Sequence, residues 1–146
     1  MAINTIPVYS KTPQISWGTV LTTANTAKDG TGSVVTLFTA GSDGARVERI
    51  RIKALGTNVA TVLRIFINNG LTNATAANNV LYGEITLAAT TLSEVAALLT
   101  TNEFPNTLDT TAAPLFLPPG YTLTATIGTS IAAGVIVSVI GSSLTF

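Results

Sequence analysis

The stretch Ala45-Arg46-Val47-Glu48-Arg49-Ile50-Arg51-Ile52-Lys53-Ala54-Leu55, with Val59-Ala60-Thr61-Val62-Leu63-Arg64-Ile65-Phe66-Ile67-Asn68 close behind it, decides the fold class. In the first segment one parity carries Ala45, Val47, Arg49, Arg51 and Lys53, and the other carries Arg46, Glu48, Ile50, Ile52 and Ala54. The second set turns apolar from Ile50 onward, so that parity faces the core over most of a strand. Arg49, Arg51 and Lys53 then form a basic stripe pointing outward. Such a stripe either meets an acidic patch on a partner or stays a solvated face whose like charges discourage edge pairing. The second segment is largely apolar on both parities, which means burial on both sides. In a two-layer sandwich the outer side of such a strand is covered by a loop or by another subunit. Gly134-Val135-Ile136-Val137-Ser138-Val139-Ile140 repeats the pattern. These two strands are the expected subunit contacts, with Val62, Arg64, Phe66, Val135, Val137 and Val139 as candidate interface residues.

Outward from this region the chain reads as β nearly throughout, because Val, Ile and Thr outnumber good helix formers and turn residues recur at short intervals. Expected strands are 16–23, 33–39, 45–55, 59–68, 80–88, 121–128 and 134–140. An eighth element lies within 90–100, where Ser93 as a cap and Leu92, Val95, Ala96 and Leu99 on one face suit a short helix as well as a strand. Asp29-Gly30 with Gly32, Asp43-Gly44, Asn69-Gly70 and Pro118-Pro119-Gly120 supply the backbone angles for chain reversal. About eight short strands without helical crossovers predict an all-β, antiparallel β-sandwich or barrel. Residues 71–79 and 101–114 are then loops at the sandwich ends, where binding residues usually sit.

The chain has 146 residues, enough for about one domain. Seven Lys+Arg balance seven Asp+Glu, so the electrostatic footprint of a binder of nucleic acid or anionic membranes is missing. Cys and His are both absent. That removes disulfides, thiolate catalysis, structural zinc and the Ser-His-Asp triad. Charged residues make up 10% of the chain, against roughly 25% in ordinary soluble domains. The longest apolar run, 131–140, is far shorter than the roughly 20 residues of a spanning helix, and residues 1–14 lack the features of a secretory signal. A soluble, intracellular product that associates with itself is expected, since little net charge keeps copies apart.

Residues 1–14 contain Pro7 and Pro13 and show no sustained period, which reads as an extended arm preceding a single domain over 15–146. Ile3, Ile6, Val8 and Tyr9 make that arm more apolar than a free tail requires, so it is expected to lie on the domain or on a neighbour. Motifs with chemistry are few. The carboxylates Asp29, Asp43, Glu48, Glu84, Glu94, Glu103 and Asp109 show no spacing that pairs two of them as general acid and base. Asp29-Gly30-Thr31-Gly32-Ser33 lacks the alternating ligands of a calcium loop, and no phosphate-binding fingerprint is present. Asn73-Ala74-Thr75 fits the glycosylation pattern by chance. Trp17, Tyr9, Tyr82 and Tyr121 are candidates for sugar stacking or interface anchoring, against the commoner role of core packing. No enzymatic activity, cofactor or metal is expected.

Arg46-Val47-Glu48-Arg49-Ile50-Arg51-Ile52-Lys53-Ala54-Leu55-Gly56-Thr57-Asn58, Val62-Leu63-Arg64-Ile65-Phe66-Ile67-Asn68-Asn69-Gly70 and Leu117-Pro118-Pro119-Gly120-Tyr121-Thr122-Leu123 together resemble small structural proteins of tailed bacteriophages, the decoration or cement proteins of the head. The resemblance spans roughly 15–144 and carries no active-site signature. It implies a jelly-roll or related β-sandwich that trimerises and braces neighbouring major capsid proteins on the virion, after synthesis in the host cytoplasm. On that reading Ile3, Ile6, Val8, Tyr9, Arg49, Arg51 and Lys53 face the capsid. The alternative is a carbohydrate- or receptor-binding sandwich of a tail fibre or spike, working through the loops 71–79 and 101–114.

Overall fold

A computed structural model describes residues 9–17, 19–98, 103–104 and 114–145. The strands are β1 (Tyr9–Trp17), β2 (Val35–Thr39), β3 (Ala45–Ala54), β4 (Thr61–Asn68), β5 (Asn79–Leu87), β6 (Glu103–Phe104), β7 (Leu115–Leu117), β8 (Thr122–Ile127) and β9 (Val135–Thr145), with one 3₁₀ turn at Ala76–Asn78. They form two antiparallel sheets. Sheet A has the order β1-β9-β3, with β6 and β7 both pairing the far edge of β3. Sheet B has the order β2-β8-β4-β5.

The pairings are nested. β4 pairs β5, β3 pairs β6 and β7, β2 pairs β8, and β1 pairs β9. The chain is therefore one long folded-back ribbon with the β4–β5 hairpin at its tip. Rolling that ribbon brings β9 against β3 and β8 against β4, which is the jelly-roll sandwich. Between the sheets lie Leu37, Val47, Ile50, Ile52, Leu63, Ile65, Leu123, Ile127, Val137 and Val139, all buried. Among the described residues no helix is long and apolar enough to cross a membrane.

The change of parity within β3 has a local cause. The pairing of β3 with β9 shifts between Val47 and Arg49, so Glu48 is an extra residue in the strand. Before this bulge Ala45 and Val47 point inward; after it Ile50, Ile52 and Ala54 do. Opposite the bulge sits Gly141, where any Cβ would run into the Arg46 carbonyl.

Several expectations are corrected. The first strand occupies Tyr9–Trp17 rather than 16–23, so residues 9–14 of the expected arm lie on the domain as part of sheet A; beyond Trp17, Leu21 bridges Val135 of β9. Residues 91–98 form neither helix nor strand. The Ser93 hydroxyl accepts from the Val95 and Ala96 N–H groups, yet no helix follows within the described residues. The segment 101–114 contains β6, and β7 follows it directly. Residues 1–8, which include Ile3, Ile6 and Val8, lie outside the described residues, as do 99–102 and 105–113.

Candidate functional site

The two sheets treat their outer faces differently. On sheet B the outward residues of β4 are Val62, Arg64, Phe66 and Asn68, and the last three are buried within the single chain. The cover is the β1–β2 connection. Its Asn25 N–H donates to the Ile127 carbonyl at 2.8 Å, and the Asn25 amide donates to the Thr31 and Ser33 carbonyls, closing the loop on itself. Gly30, at φ +78°, sits so close to Phe66 and Asn79 that a Cβ there would lie 2.6 Å from Asn79 Cβ and 3.1 Å from Phe66 Cδ1. Asn73 ties this loop to the β4–β5 connection by donating to the Gly32 carbonyl at 2.8 Å. That connection is itself held by Asn68, Asn69, Asn78 and Asn79, whose amides bond one another and nearby backbone. The asparagines of this end thus serve the fold, Asn73 included.

Arg64, 8% exposed, reaches Glu84 on β5 through Nε at 2.6 Å. Thr126 of β8 lies opposite Arg64 in register. Arg64 Nη1, Thr124 Oγ1 and Thr126 Oγ1 are buried without a partner in the protein, the kind of group that ordered water usually satisfies. The expected subunit contact through Val62, Arg64 and Phe66 is therefore corrected: the chain's own loop covers most of this face. Val135, Val137 and Val139 are corrected as well. They are 3% exposed or less and point between the sheets, because the outward parity of β9 is Ile136, Ser138 and Ile140.

Among the described residues the outer face of sheet A is exposed. Register places Ile15, Ile140 and Arg49 in one row across β1, β9 and β3, and Trp17, Ser138 and Arg51 in the next; Ile136 and Lys53 form a third. Ile15 and Trp17 are 62% and 70% exposed. An apolar strip therefore runs beside a basic strip, with a groove between them lined by Ile15, Ile136, Ser138, Ile140, Arg51 and Lys53. Alternate residues on a strand are about 6.8 Å apart, so the three cations make a regular array. Glu103 of β6 stands in register with Arg51 on its other side. Tyr9 starts β1 opposite Thr145.

Of the residues expected to meet a partner, Arg49, Arg51 and Lys53 do share this face. The apolar half of the surface combines Trp17, one of the aromatic candidates, with Ile15 and with Ile136 and Ile140, the β9 parity opposite to the expected Val135, Val137 and Val139. The signal for it was Ser138, the one polar residue in the run 135–140, which marks the outward side. Of the aromatic candidates, Trp17 is exposed, whereas Tyr82 and Tyr121 are partly buried against the core.

Among the described residues no group of three His, Cys, Asp or Glu could hold a metal. Three carboxylates are engaged locally: Glu48 with Arg46, Glu84 with Arg64, and Asp29 with Thr31. The hydroxyl and N–H of Thr31 hold the Asp29 carboxyl below its ordinary value. Comparison of the chain with family models, with curated proteins and with solved structures gives no match in any of the three.

Proposed function

We propose that this jelly roll is a structural protein that decorates and stabilises the capsid of a tailed bacteriophage as a homo-oligomer, a trimer on the resemblance noted above, bracing neighbouring major capsid proteins. The observation that carries the reading is the open outer face of sheet A. It is a preformed, sheet-borne surface of apolar and cationic side chains, suited to burying area against another protein and to selecting acidic neighbours. A surface of this kind needs neither cofactor nor catalytic residue.

Co-sedimentation with shells of the phage whose genome encodes the chain tests it. Wild-type protein is expected to pellet with the shells, with binding that weakens as salt rises. Trp17→Ala and the double variant Arg51→Glu/Lys53→Glu each lower apparent affinity at least about tenfold, the scale of an interface anchor. Unchanged binding by both variants rules out this face. The exposed indole of Trp17 also suits stacking on a sugar ring, so a glycan array is read alongside; a specific signal abolished by Trp17→Ala favours the receptor-binding alternative.

A further inference from the structure

Asn69-Gly70 is the one Asn-Gly pair in the chain. Such a pair is chemically labile: the peptide nitrogen that follows an asparagine can attack its side-chain carbonyl, and glycine, having no Cβ, shields that nitrogen least. The fold holds the glycine in place. Gly70 has φ +87°, and a Cβ there would lie 2.6 Å from the Gly120 carbonyl oxygen, so no other residue fits. Water reaches the pair, since Gly70, Leu71 and Thr72 are exposed at the tip of the β4–β5 hairpin.

In the closed tip every reacting group is already engaged. The Gly70 N–H, which carries the proton the nucleophile must lose, donates to Asn68 Oδ1 at 2.8 Å. Asn69 Oδ1 accepts from the Leu71 N–H at 3.1 Å, and Asn69 Nδ2 donates to Asn78 Oδ1 at 3.2 Å. Both neighbouring amides are fixed in turn. Asn68 Nδ2 donates to Asn79 Oδ1 and Asn78 Nδ2 to the Thr72 carbonyl, each at 2.8 Å.

We infer that Asn69 is a site of spontaneous conversion to aspartate and isoaspartate, held back by Asn68 and Asn78 while the tip is closed and released when it opens. The only co-reactants are water and hydroxide. Hydroxide removes the Gly70 N–H proton, the nitrogen forms a bond to Asn69 Cγ, and the Cγ–Nδ2 bond breaks; the departing nitrogen takes a proton from water and leaves as ammonia. Water then opens the succinimide at one of its two carbonyls. One opening gives aspartate, and the other gives isoaspartate with the main chain routed through the side chain. Neither product fits the closed tip. In aspartate a carboxylate oxygen replaces Nδ2 and faces Asn78 Oδ1, acceptor against acceptor, and Asn78 turns its amide round only by giving up the Thr72 carbonyl. Asn73 of the same connection donates to the Gly32 carbonyl, so the tip loosened by the conversion is an anchor of the loop over Arg64 and Phe66.

Incubation of the full chain at mildly alkaline pH, folded and in urea, tests this when followed by digestion and mass spectrometry of the peptide holding residue 69. Folded wild type is expected to convert there at least about tenfold more slowly than the unfolded chain, the factor for a tip open less than about a tenth of the time. Asn68→Ala and Asn78→Ala each speed conversion in the folded protein by about two- to tenfold, the scale of one lost hydrogen bond. Asn68 is buried and Asn78 partly exposed, so Asn78→Ala carries the test if Asn68→Ala fails to fold by circular dichroism. Asn69→Asp, which installs one product directly, lowers the urea midpoint. Equal rates in folded and unfolded chains, a folded Asn78→Ala variant no faster than the wild type, earlier conversion at another asparagine, or an unchanged midpoint for Asn69→Asp overturns the inference.

Discussion

The outer faces of the two sheets start from similar alternation and end in opposite states. On sheet B, Phe66 is fully buried and Arg64 nearly so, under a loop pinned by Asn25, Gly30 and Asn73. On sheet A, Trp17 and Ile15 stand in solvent beside Arg51 and Lys53. An apolar outward residue therefore has no fixed meaning in this fold. Its role depends on whether a connection crosses above it, and the β1–β2 connection lies over β4 of sheet B.

The comparison breaks most sharply at its two aromatics. Phe66→Ala is expected to cost about 3–5 kcal/mol, as for truncation of a buried aromatic, while Trp17→Ala changes stability by no more than about 0.5 kcal/mol. Equilibrium urea unfolding of both variants measures the contrast, and similar values would mean that Phe66 is not covered. The cover itself is probed at Gly30. Gly30→Ala imposes a Cβ on a residue at positive φ and against Asn79, with an expected loss of about 2–3 kcal/mol in the same assay.

A smaller effect is expected from Glu84→Gln, which leaves the Arg64 guanidinium with a weaker partner. Because the Glu84 side chain is 45% exposed, solvent replaces part of the interaction and the expected loss is about 1 kcal/mol. Adding Arg64→Met to that variant should restore most of it, since the buried cation is then gone; a double-mutant cycle in urea reads the coupling. Smallest is the acid dependence of the loop's Asp29. Its folded pKa lies below the ordinary 3.8, so the stabilisation is present above that value and is lost as pH falls through the lower folded pKa. Thermal melts below pH 4 should therefore show a shallower acid-induced decline for Asp29→Asn than for the wild type.

Much of the fold was legible. β3, β4, β5 and β8 fall close to their expected spans, because β-branched runs bounded by Asp43-Gly44, Asn69-Gly70 and Pro118-Pro119-Gly120 carry their own boundaries. Less legible were short or edge elements whose existence depends on a partner. β6 and β7 are strands because β3 offers them an edge, and Tyr9–Gln14 is strand because β9 extends past Gly141 to meet it. The candidate site was half legible. Arg49, Arg51 and Lys53 announce an outward stripe, but Val135, Val137 and Val139 look much like Ile136 and Ile140 in size and apolarity, so that Ser138 alone marks which set faces outward.

By itself the sequence determined the class of the molecule: antiparallel β, low in charge, without the side chains of thiolate, imidazole or zinc chemistry. Those conclusions rest on local backbone preference and on which functional groups exist, and neither depends on where the chain goes. Only the tertiary structure decided which apolar residues are core, which are covered and which are open. Burial is a relation between segments far apart in the chain, and a loop anchored by a few hydrogen bonds was enough to hide one face of the sandwich and leave the other exposed.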